Sequence, residues 1–540
     1  MKKTLIHLFI ILVVQQSFAQ TFQKGYGVTD NDNSNQQELY DIKLGQNNFI
    51  YTSGTFRNID YFPRLAFYGT VSKLNTFGGL IWYKGYIPED YNDFESYFIN
   101  SVFQSNVDEI YCFGNFLGNS VSRAGYFLQK LNTSGEIIWS KFIGDEDGAD
   151  EFAKAVYANN AIYAITKNKI LKFNLSGEII NSTKIDNDLA TLRTLHVSST
   201  GKLIVSGEIY YNDNWQVPVL IFNQSLSFES GTLYRSNLDF FYAKSLAEGP
   251  ENDIGQENYD ILIGCSSGIS FSTESFNGQL NWAKQILGED NGATLFEINE
   301  HKEIKSISNQ NNSFLVALDA FYSDDESFQN SNIICKLDND GNYSDFRIIN
   351  QAPFPGSSNF MPFGIEVNTA SNSYYLAGDL TDQNLTKHLN YVQRGTLNLL
   401  GCGEIALNVN YDDITTEIIT SPFPSSLLTT YPKTSVSRNF ITETITSNYD
   451  NTYCENNLSN TEFDNNFSIS IFPNPAQNII NIHSQETIIE ISVYDVLGKK
   501  VIVNQLSVNA LDISNLAQGM YIIKIIVKND KTFSSKFIKK

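Results

Sequence analysis

The sequence predicts an all-β protein, and three observations support this. The chain of 540 residues contains 29 Tyr and 38 Phe but only 3 Met, and aromatic side chains fit the pleated surface of a sheet. Asn, Ser and Asp fall between the apolar runs, where their side chains stabilise turns. Long helical patterns are absent from the sequence. We therefore expect short strands joined by polar turns.

A first sequence unit recurs through the central part of the chain. It is a β-like run closed by a small residue, as in Tyr-Thr-Ser-Gly-Thr-Phe, followed by a short return. The clear copies occupy residues 51–56, 110–116, 203–209 and 374–380. Weaker copies occupy residues 162–165, 261–264 and 314–317, which brings the total to seven.

A second unit follows most copies of the first one. It is a strand, an Asn-Gly or Asp-Gly type of turn and a second strand, which is the chemistry of a β-hairpin. The fullest copy reads Lys-Leu-Asn-Thr-Ser-Gly-Glu-Ile-Ile-Trp. The copies occupy residues 73–82, 130–139, 172–180, 275–282 and 336–341.

Together the two units predict a β-propeller. A repeat of about 50 residues with about four strands is typical of propeller blades, which bury their faces against their neighbours. The copies predict seven blades within residues 20–400. The hairpins resemble the divergent propeller repeats of bacterial secreted proteins that carry a K-L-[ND]-x-x-G-x-x-x-W pattern. A stack of β-sandwiches is the alternative.

Residues 401–465 fit neither module. Thr, Ser and Asn dominate there, which predicts a β-rich extension followed by a linker. Cys402 and Cys454 bracket this segment and are candidates for one disulfide. Cys112, Cys265 and Cys335 lie in apolar runs and are expected to be buried thiols. Because no pair has CxxC spacing, neither a zinc site nor a redox dithiol is indicated.

Residues 466–540 form a separate module, predicted to be a small β-sandwich of six or seven short strands. The segment contains Phe-Pro-Asn-Pro-Ala, Val-Tyr-Asp-Val-Leu-Gly-Lys-Lys, an Asn-Leu-Ala-Gln-Gly-Met-Tyr run and a Lys-rich end. The residues that carry these motifs are Pro473, Asn474, Pro475, Tyr494, Asp495, Gly498, Lys499, Gly519, Tyr521, Lys536 and Lys539.

The four motifs, in this order and spacing, resemble the C-terminal type A sorting domain of the type IX secretion system of Bacteroidetes. The resemblance implies that the outer-membrane translocon recognises this domain and that a sorting peptidase usually removes it. The mature protein is then anchored to the cell surface or released.

The N-terminus agrees with this route. Lys2 and Lys3 precede an apolar run, and Ser17-Phe18-Ala19 is a small-x-small cleavage site. Residues 1–19 are therefore predicted to be a secretory signal peptide. No other run is long enough to predict a transmembrane helix in the mature chain. We expect export through the periplasm and the outer membrane, to the cell surface or the medium.

The charge of the chain limits its partners. A net charge of −22 argues against binding of nucleic acid or of an anionic membrane. Acidic loops follow the repeated tryptophans, and their carboxylates are candidate Ca²⁺ ligands, since this ion prefers oxygen. Solvated surface loops are the alternative. The candidate ligands are Asp145, Asp147, Asp150, Glu289 and Asp290.

Catalytic motifs are scarce. Gly264-Cys265-Ser266-Ser267-Gly268 matches a nucleophile elbow, but that motif needs a helix after the serine, and the next residues predict a strand. We therefore expect a non-enzymatic binding or adhesion protein with a glycan or protein ligand. The alternative is a secreted hydrolase or lyase of polysaccharides, which would use paired carboxylates.

Overall fold

The computed structural model describes residues 21–540 with gaps, so the predicted signal peptide lies outside the described residues. The chain divides into two units, Met1–Leu458 and Ser459–Lys540. The gaps are 29–35, 47, 58–66, 90–95, 119–123, 145–152, 238–240, 252–258, 288, 291–293, 308–312, 325–326, 350–357, 383–386, 400–403, 407–408, 448, 457–468, 485–487, 496–498, 505–509 and 528–531.

The first unit is built from seven antiparallel sheets. A first strand, β1, spans Thr21–Gly27. The other core strands are, sheet by sheet, β2 (Gln36–Leu44), β3 (Ile50–Arg57), β4 (Tyr68–Leu74) and β5 (Leu80–Pro88); β6 (Ser96–Asn106), β7 (Glu109–Leu117), β8 (Gly125–Leu131) and β9 (Ile137–Gly144); β10 (Lys154–Ala158), β11 (Ala161–Thr166), β12 (Lys169–Phe173) and β13 (Ile179–Ile185); β14 (Ala190–Val197), β15 (Leu203–Tyr211), β16 (Asn214–Phe222) and β17 (Phe228–Ser236); β18 (Ala243–Glu251), β19 (Tyr259–Cys265), β20 (Ile269–Glu274) and β21 (Leu280–Ile286); β22 (Glu289–Asp290), β23 (Thr294–Ser306), β24 (Ser313–Asp324), β25 (Ser327–Asp338) and β26 (Tyr343–Ile349); β27 (Ser358–Asn368), β28 (Ser373–Asp382) and β29 (Lys387–Thr396).

The seven sheets form a closed ring of blades. The innermost strands contact one another in the order β2, β6, β10, β14, β18, β23 and β27, and β27 contacts β2 again. Strand β1 pairs with β29 and supplies the fourth strand of the seventh blade. The N-terminal part of the repeat region thus closes the ring, and the predicted seven-bladed propeller is confirmed.

Residues after the repeats add one further outer strand to every blade, the fifth in six blades and the sixth in the blade that contains β22. We call residues 404–456 the belt. Its strands pair with the outer strands β26, β21, β17, β13, β9, β5 and β1 in turn, so the belt passes the blades in reverse order. Its elements are β30 (Glu404–Ala406), β31 (Tyr411–Asp413), a 3₁₀ turn (Thr415–Glu417), β32 (Ile418–Pro422), a second 3₁₀ turn (Ser425–Leu427), β33 (Leu428–Thr430), β34 (Val436–Ser437), β35 (Phe440–Thr444) and β36 (Tyr449–Asn456).

The belt is packed as well as paired. Ile414, Ile418, Phe423 and Phe440 are buried in the apolar layers between blades. An outer strand of a propeller otherwise presents an open row of N–H and C=O groups, to which other chains can pair. The belt covers part of that row on each blade.

The repeated hairpins explain the spacing of Trp and Gly. Trp139 of the second blade packs on Gly177 of the third, where an added Cβ would lie 2.6 Å from the indole. Gly177 also has φ +78°. The same contact joins Trp82 to Gly135 and Trp282 to Gly341. Each pair joins neighbouring blades, as expected for propeller blades that bury their faces against one another.

Gly177→Ala is therefore expected to lower the free energy of unfolding by more than about 1 kcal/mol, because it combines a positive φ with a clash. Gly144→Ala is the matched control, since an added Cβ there meets its nearest atom at 3.7 Å. Chemical denaturation of both variants checks this. Equal stabilities would contradict the role assigned to the Trp–Gly contact.

The second unit is a small sandwich of two sheets, as predicted. One sheet has the order β37-β38-β41 and the other β40-β39-β42-β43. Isoleucines of both sheets share one core, with Leu511 and Phe537. The strands are β37 (Ile469–Phe472), β38 (Ile479–Ser484), β39 (Ile488–Asp495), β40 (Lys500–Asn504), β41 (Ala510–Asp512), β42 (Gly519–Val527) and β43 (Thr532–Lys539).

The next feature is the burial and pairing of the five cysteines. Cys112, Cys265 and Cys335 are buried and unpaired. Cys402 lies outside the described residues, and Cys454 is paired through its backbone with Gln23 in the seventh blade. The Cys402–Cys454 disulfide stays a prediction. If it forms, it links the two ends of the belt, which a peptide mass map without reductant would detect.

Candidate binding site in the propeller channel

The inner strands carry a recurring irregularity. In six blades the register between the first and second strands shifts by one residue, which is the mark of a β-bulge. The bulge faces the small residue of the first sequence repeat. At Gly54, an added Cβ would lie 1.8 Å from the carbonyl oxygen of Glu38, and at Gly114 it would lie 2.0 Å from that of Phe98. The repeated glycine therefore makes room for the bulge.

A bulge re-aims one side chain, and five of the bulged residues, Tyr40, Asn100, Arg193, Lys244 and Lys302, line a cavity in the channel. We call the residues at this position the channel ring. Lys154 begins β10 and occupies the corresponding place in the third blade. Six ring side chains, one from each of six blades, line one cavity of about 430 Å³; only the backbone of Phe363 is described. The ring comprises Tyr40, Asn100, Lys154, Arg193, Lys244, Lys302 and Phe363.

Hydrogen bonds between blades hold the bulges in place. The Asp41 carboxylate accepts from the Val102 N–H at 3.1 Å. The Ser101 hydroxyl accepts from the Ala155 N–H at 3.0 Å, and Glu303 accepts from the Ile365 N–H at 3.0 Å. Each bond ties one inner strand to that of the next blade. The channel wall is thus pre-organised.

Four neighbouring blades present cations to the cavity. Arg193 pairs with Glu208 at 2.5 Å. Lys244 and Lys302 both contact Glu300, at 2.9 and 2.5 Å. Burial alone would raise the pKa of Glu300, but these two ammonium groups lower it. Glu300 is therefore held ionised between two cations.

Lys154 differs from the other three cations. No ion pair of its ammonium group is found among the described residues, although Glu303 and Asp41 act on it at longer range. Burial lowers the pKa of Lys154. Nearby, Asn115 lines the same cavity and is fully buried. Neither polar atom of its side chain has a hydrogen-bond partner in the described part of the chain.

The first two blades contribute aromatic side chains to the cavity. Phe67 and Phe98 stack with ring centroids 5.8 Å apart, and Tyr40 lies 6.4 Å from Phe98. All three side chains are half-buried. The Tyr40 hydroxyl donates to Glu38 at 2.6 Å. The cavity thus combines an aromatic wall on the first two blades, in which the Tyr40 and Phe98 rings are tilted by 50°, with cations on the third to sixth blades.

A second ionic layer lies one step along the inner strands. Lys43 contacts Asp41 at 3.1 Å and Glu366 at 3.7 Å. Lys305 contacts Glu303 at 2.8 Å and Glu366 at 3.8 Å. Burial would raise the pKa of Glu303, but the surrounding lysines lower it to about 2. Burial raises the pKa of Glu366 despite its two lysines.

His301 makes the propeller sensitive to acid. Its ring is fully buried, and this burial lowers its pKa from 6.5 to about 4, although the Gly268 backbone and Glu300 oppose the shift. Between these values the unfolded chain binds a proton that the folded chain excludes. Stability is therefore complete above about pH 6.5 and falls by on the order of 3 kcal/mol towards pH 4. His301→Gln is expected to flatten this slope in denaturation curves. An unchanged slope would contradict the assignment.

The predicted calcium ligands receive no test from the structure. Asp145, Asp147 and Asp150 lie outside the described residues, and for Glu289 and Asp290 only the backbone of β22 is described. Among the described residues no group of His, Cys, Asp and Glu that suits a metal is present. Ser266 is followed by strand β20 rather than by a helix, as expected from the sequence.

The C-terminal motifs meet in the second unit. The Asn474 side chain donates to the Lys536 carbonyl and accepts from the Ile538 N–H, both at 3.0 Å. Next to it, the Ala476 N–H donates to the Ile538 carbonyl at 2.8 Å. The Pro-Asn-Pro motif is thus tied to the last strand, although the two are far apart in sequence.

The remaining motif residues support the larger sheet. The Asp495 carboxylate accepts from the Lys499 N–H at 2.9 Å, which closes the turn before β40. Tyr521 stacks on Phe537 at 5.6 Å and donates to the Ala517 carbonyl. Lys539 pairs with Gly519 and is buried, whereas Lys536 is exposed. Gly498 lies outside the described residues.

Comparison with known proteins identifies this second unit. Residues 470–540 match the family described as "Secretion system C-terminal sorting domain". The chain therefore carries a type IX sorting domain and is exported across the outer membrane to the cell surface or the medium. No curated protein matches the chain. Within the described residues, no helix is long and apolar enough to cross a membrane.

Solved structures similar to the chain are distant. PorZ of Porphyromonas gingivalis, titled an essential surface component of the type IX secretion system, has 11% identity and a TM-score of 0.29, over 87% of this chain and 64% of that one. A protein of unknown function from Dyadobacter fermentans has 8% identity and a TM-score of 0.37, over 69% of this chain and 98% of that one. The Pan2 WD40 domain of Neurospora crassa has 10% identity and a TM-score of 0.34, over 56% of this chain and 90% of that one. The propeller assignment therefore depends on the sheet topology of the chain itself.

The sequence reasoning missed the channel ring. It found the repeated Gly of the second strand of each blade. It did not find the bulged residue on the first strand, for which this Gly makes room. The signal is an apolar residue, a variable residue and then a small or polar one, as in Ile99-Asn100-Ser101 and Leu192-Arg193-Thr194. Because the variable position differs between blades, it is not visible as a repeat.

Proposed function

We propose that the exported propeller is a non-enzymatic binding module, acting in adhesion at the cell surface or in the medium, and that its ligand enters the channel. The observation that supports this most is the convergence of six ring side chains on one cavity of about 430 Å³. Concave, pre-formed cavities with a few convergent polar groups are typical of ligand sites. Hydrogen bonds between blades keep the site rigid.

The ionic state of two channel carboxylates argues against their use as general acids. Glu300 and Glu303 line the channel and are both held ionised by lysines. General acid catalysis of glycoside cleavage requires a carboxylic acid that keeps its proton near neutral pH. Neither of these two residues meets that requirement.

The test is retention of the exported protein on immobilised polysaccharides and glycoproteins, with release of soluble products measured in the same samples. Retention without products is the expected result. Product release would overturn the non-enzymatic proposal. A parallel series with chelator tests the proposed Ca²⁺ loops, and loss of retention there would support Asp145, Asp147, Asp150, Glu289 and Asp290 as ligands.

A polysaccharide hydrolase or lyase is the second candidate, and one observation favours it. Glu303 and Glu366 contact the same lysine, and their pKa values are shifted in opposite directions. Such separation is typical of acid–base pairs. If products are released, Glu366→Gln is expected to abolish the release. Persistence of the activity in this variant would exclude the pair.

A further inference from the structure

We infer that the ligand of the channel is an acidic glycan, whose carboxylate or sulfate group pairs with Lys154 and whose sugar face lies on Tyr40 and Phe98. This inference rests on the proposed binding function and names its ligand class. It goes beyond that proposal because a neutral glycan or a protein loop would also satisfy binding.

The first argument is the charge left in the cavity. Arg193, Lys244 and Lys302 have carboxylate partners within the protein. Lys154 has none among the described residues, yet it lines the cavity beside them. A cation in a sheltered site without a partner is costly, and a ligand anion would remove that cost. A chain with a net charge of −22 repels anions overall, so a local group of cations such as this one is needed to bind them.

The second argument is the polar group that lacks a partner. Asn115 is fully buried, lines the same cavity, and offers both an amide donor and a carbonyl acceptor without partners in the described part of the structure. Buried amides are almost always hydrogen-bonded. A sugar hydroxyl both donates and accepts, and so can satisfy such a group.

The third argument is the shape of the aromatic wall. Tyr40, Phe67 and Phe98 form a half-buried aromatic surface in the same cavity as the cations, and Phe98 and Lys154 lie on neighbouring blades. A pyranose presents C–H groups on one face and polar groups at its rim, and rigid aromatic side chains suit the apolar face. A cavity of about 430 Å³ takes one or two sugars and not a folded domain. The charged side chains of an acidic peptide would pair with the cations but would leave this aromatic wall without a matching partner.

The binding experiment uses the exported protein with oligogalacturonate and dextran sulfate fragments as probes. Galactan oligomers and dextran are the neutral counterparts, and poly-glutamate is the peptide. Titration calorimetry at low and moderate salt gives the affinities. We expect the two acidic glycans to bind more tightly than their neutral counterparts, and we expect their affinity to fall as the salt concentration rises. The stronger of the two acidic probes identifies the anion as carboxylate or sulfate.

The variants are Lys154→Gln and, as a matched control, Lys336→Gln. Lys336 lies on β25, away from the inner strand of its blade, and pairs with Asp345. Both changes therefore remove one positive charge. Lys154→Gln is expected to lower the affinity for acidic glycans at least roughly tenfold. Lys336→Gln is expected to leave this affinity unchanged. Since Lys154→Gln removes an unpaired charge, its melting temperature should stay equal or rise. This combination separates a binding role from a structural one.

The outcomes distinguish the two proposals. Equal binding of acidic and neutral glycans, or no effect of Lys154→Gln, would overturn the acidic-glycan inference. If Tyr40→Ala lowered the affinity for the neutral glycan in that case, the proposed binding function of the channel would still be supported. Poly-glutamate binding as tightly as the glycans would replace the glycan by a peptide. Binding of none of these probes in the channel would overturn the proposed function itself.

Discussion

Phe440→Ala is expected to lower the free energy of unfolding of the propeller by about 3–5 kcal/mol, the usual cost of removing a buried phenylalanine. Phe440 belongs to belt strand β35 but packs between the first two blades, with its ring 5.5 Å from Phe127 and 6.0 Å from Tyr97. Because a domain of this kind is only marginally stable, this loss should be large in a denaturation curve.

The neighbouring residue provides the control. Ile441 lies on the same strand and is 36% exposed, so Ile441→Ala should change stability by less than about 1 kcal/mol. The two variants remove comparable apolar groups from one strand and differ mainly in burial. If Phe440→Ala were as stable as Ile441→Ala, the belt would be a peripheral attachment and not part of the propeller core.

Deletion of residues 467–540 is expected to leave the protein in the periplasm, because the sorting domain is the signal for passage across the outer membrane. Cell fractionation and surface labelling measure the distribution. Unchanged delivery to the surface would contradict the assigned route. The deletion is also expected to leave the propeller folded, since the belt, which ends at Asn456, stays intact.

A single substitution tests how the sorting motif is held. Asn474→Ala removes two hydrogen bonds to the last strand, each contributing about 1 kcal/mol, and should reduce the exported fraction. Asn481→Ala is the control, because Asn481 is an exposed asparagine on β38 of the same unit. Equal export of the two variants would show that the tie between Asn474 and the last strand is dispensable.

Much of this architecture could be predicted from the sequence because it depends on local chemistry. The hairpin motif combines an Asn that accepts from two N–H groups, as Asn132 does, with a glycine of positive φ at Gly135. Such turns are encoded within a few residues. Their regular recurrence then implies blades, and the tryptophans imply packing between them.

The belt and the channel could not be predicted in this way because both depend on distant parts of the chain. Belt strand Val436–Ser437 is only two residues long, and it pairs with β9, hundreds of residues away. The sequence therefore predicted a β-rich extension without showing that it encircles the blades. In the channel, residues from six blades meet although no motif links Tyr40 to Lys302.

A crystal structure of the exported protein soaked with a short oligogalacturonate would test the channel as a binding site most directly. We expect a sugar in the channel, with its carboxylate at Lys154, a hydroxyl at Asn115 and its apolar face on Tyr40 and Phe98. An empty channel, with the sugar bound instead on a blade edge or on the belt, would contradict the assignment of the channel as the binding site.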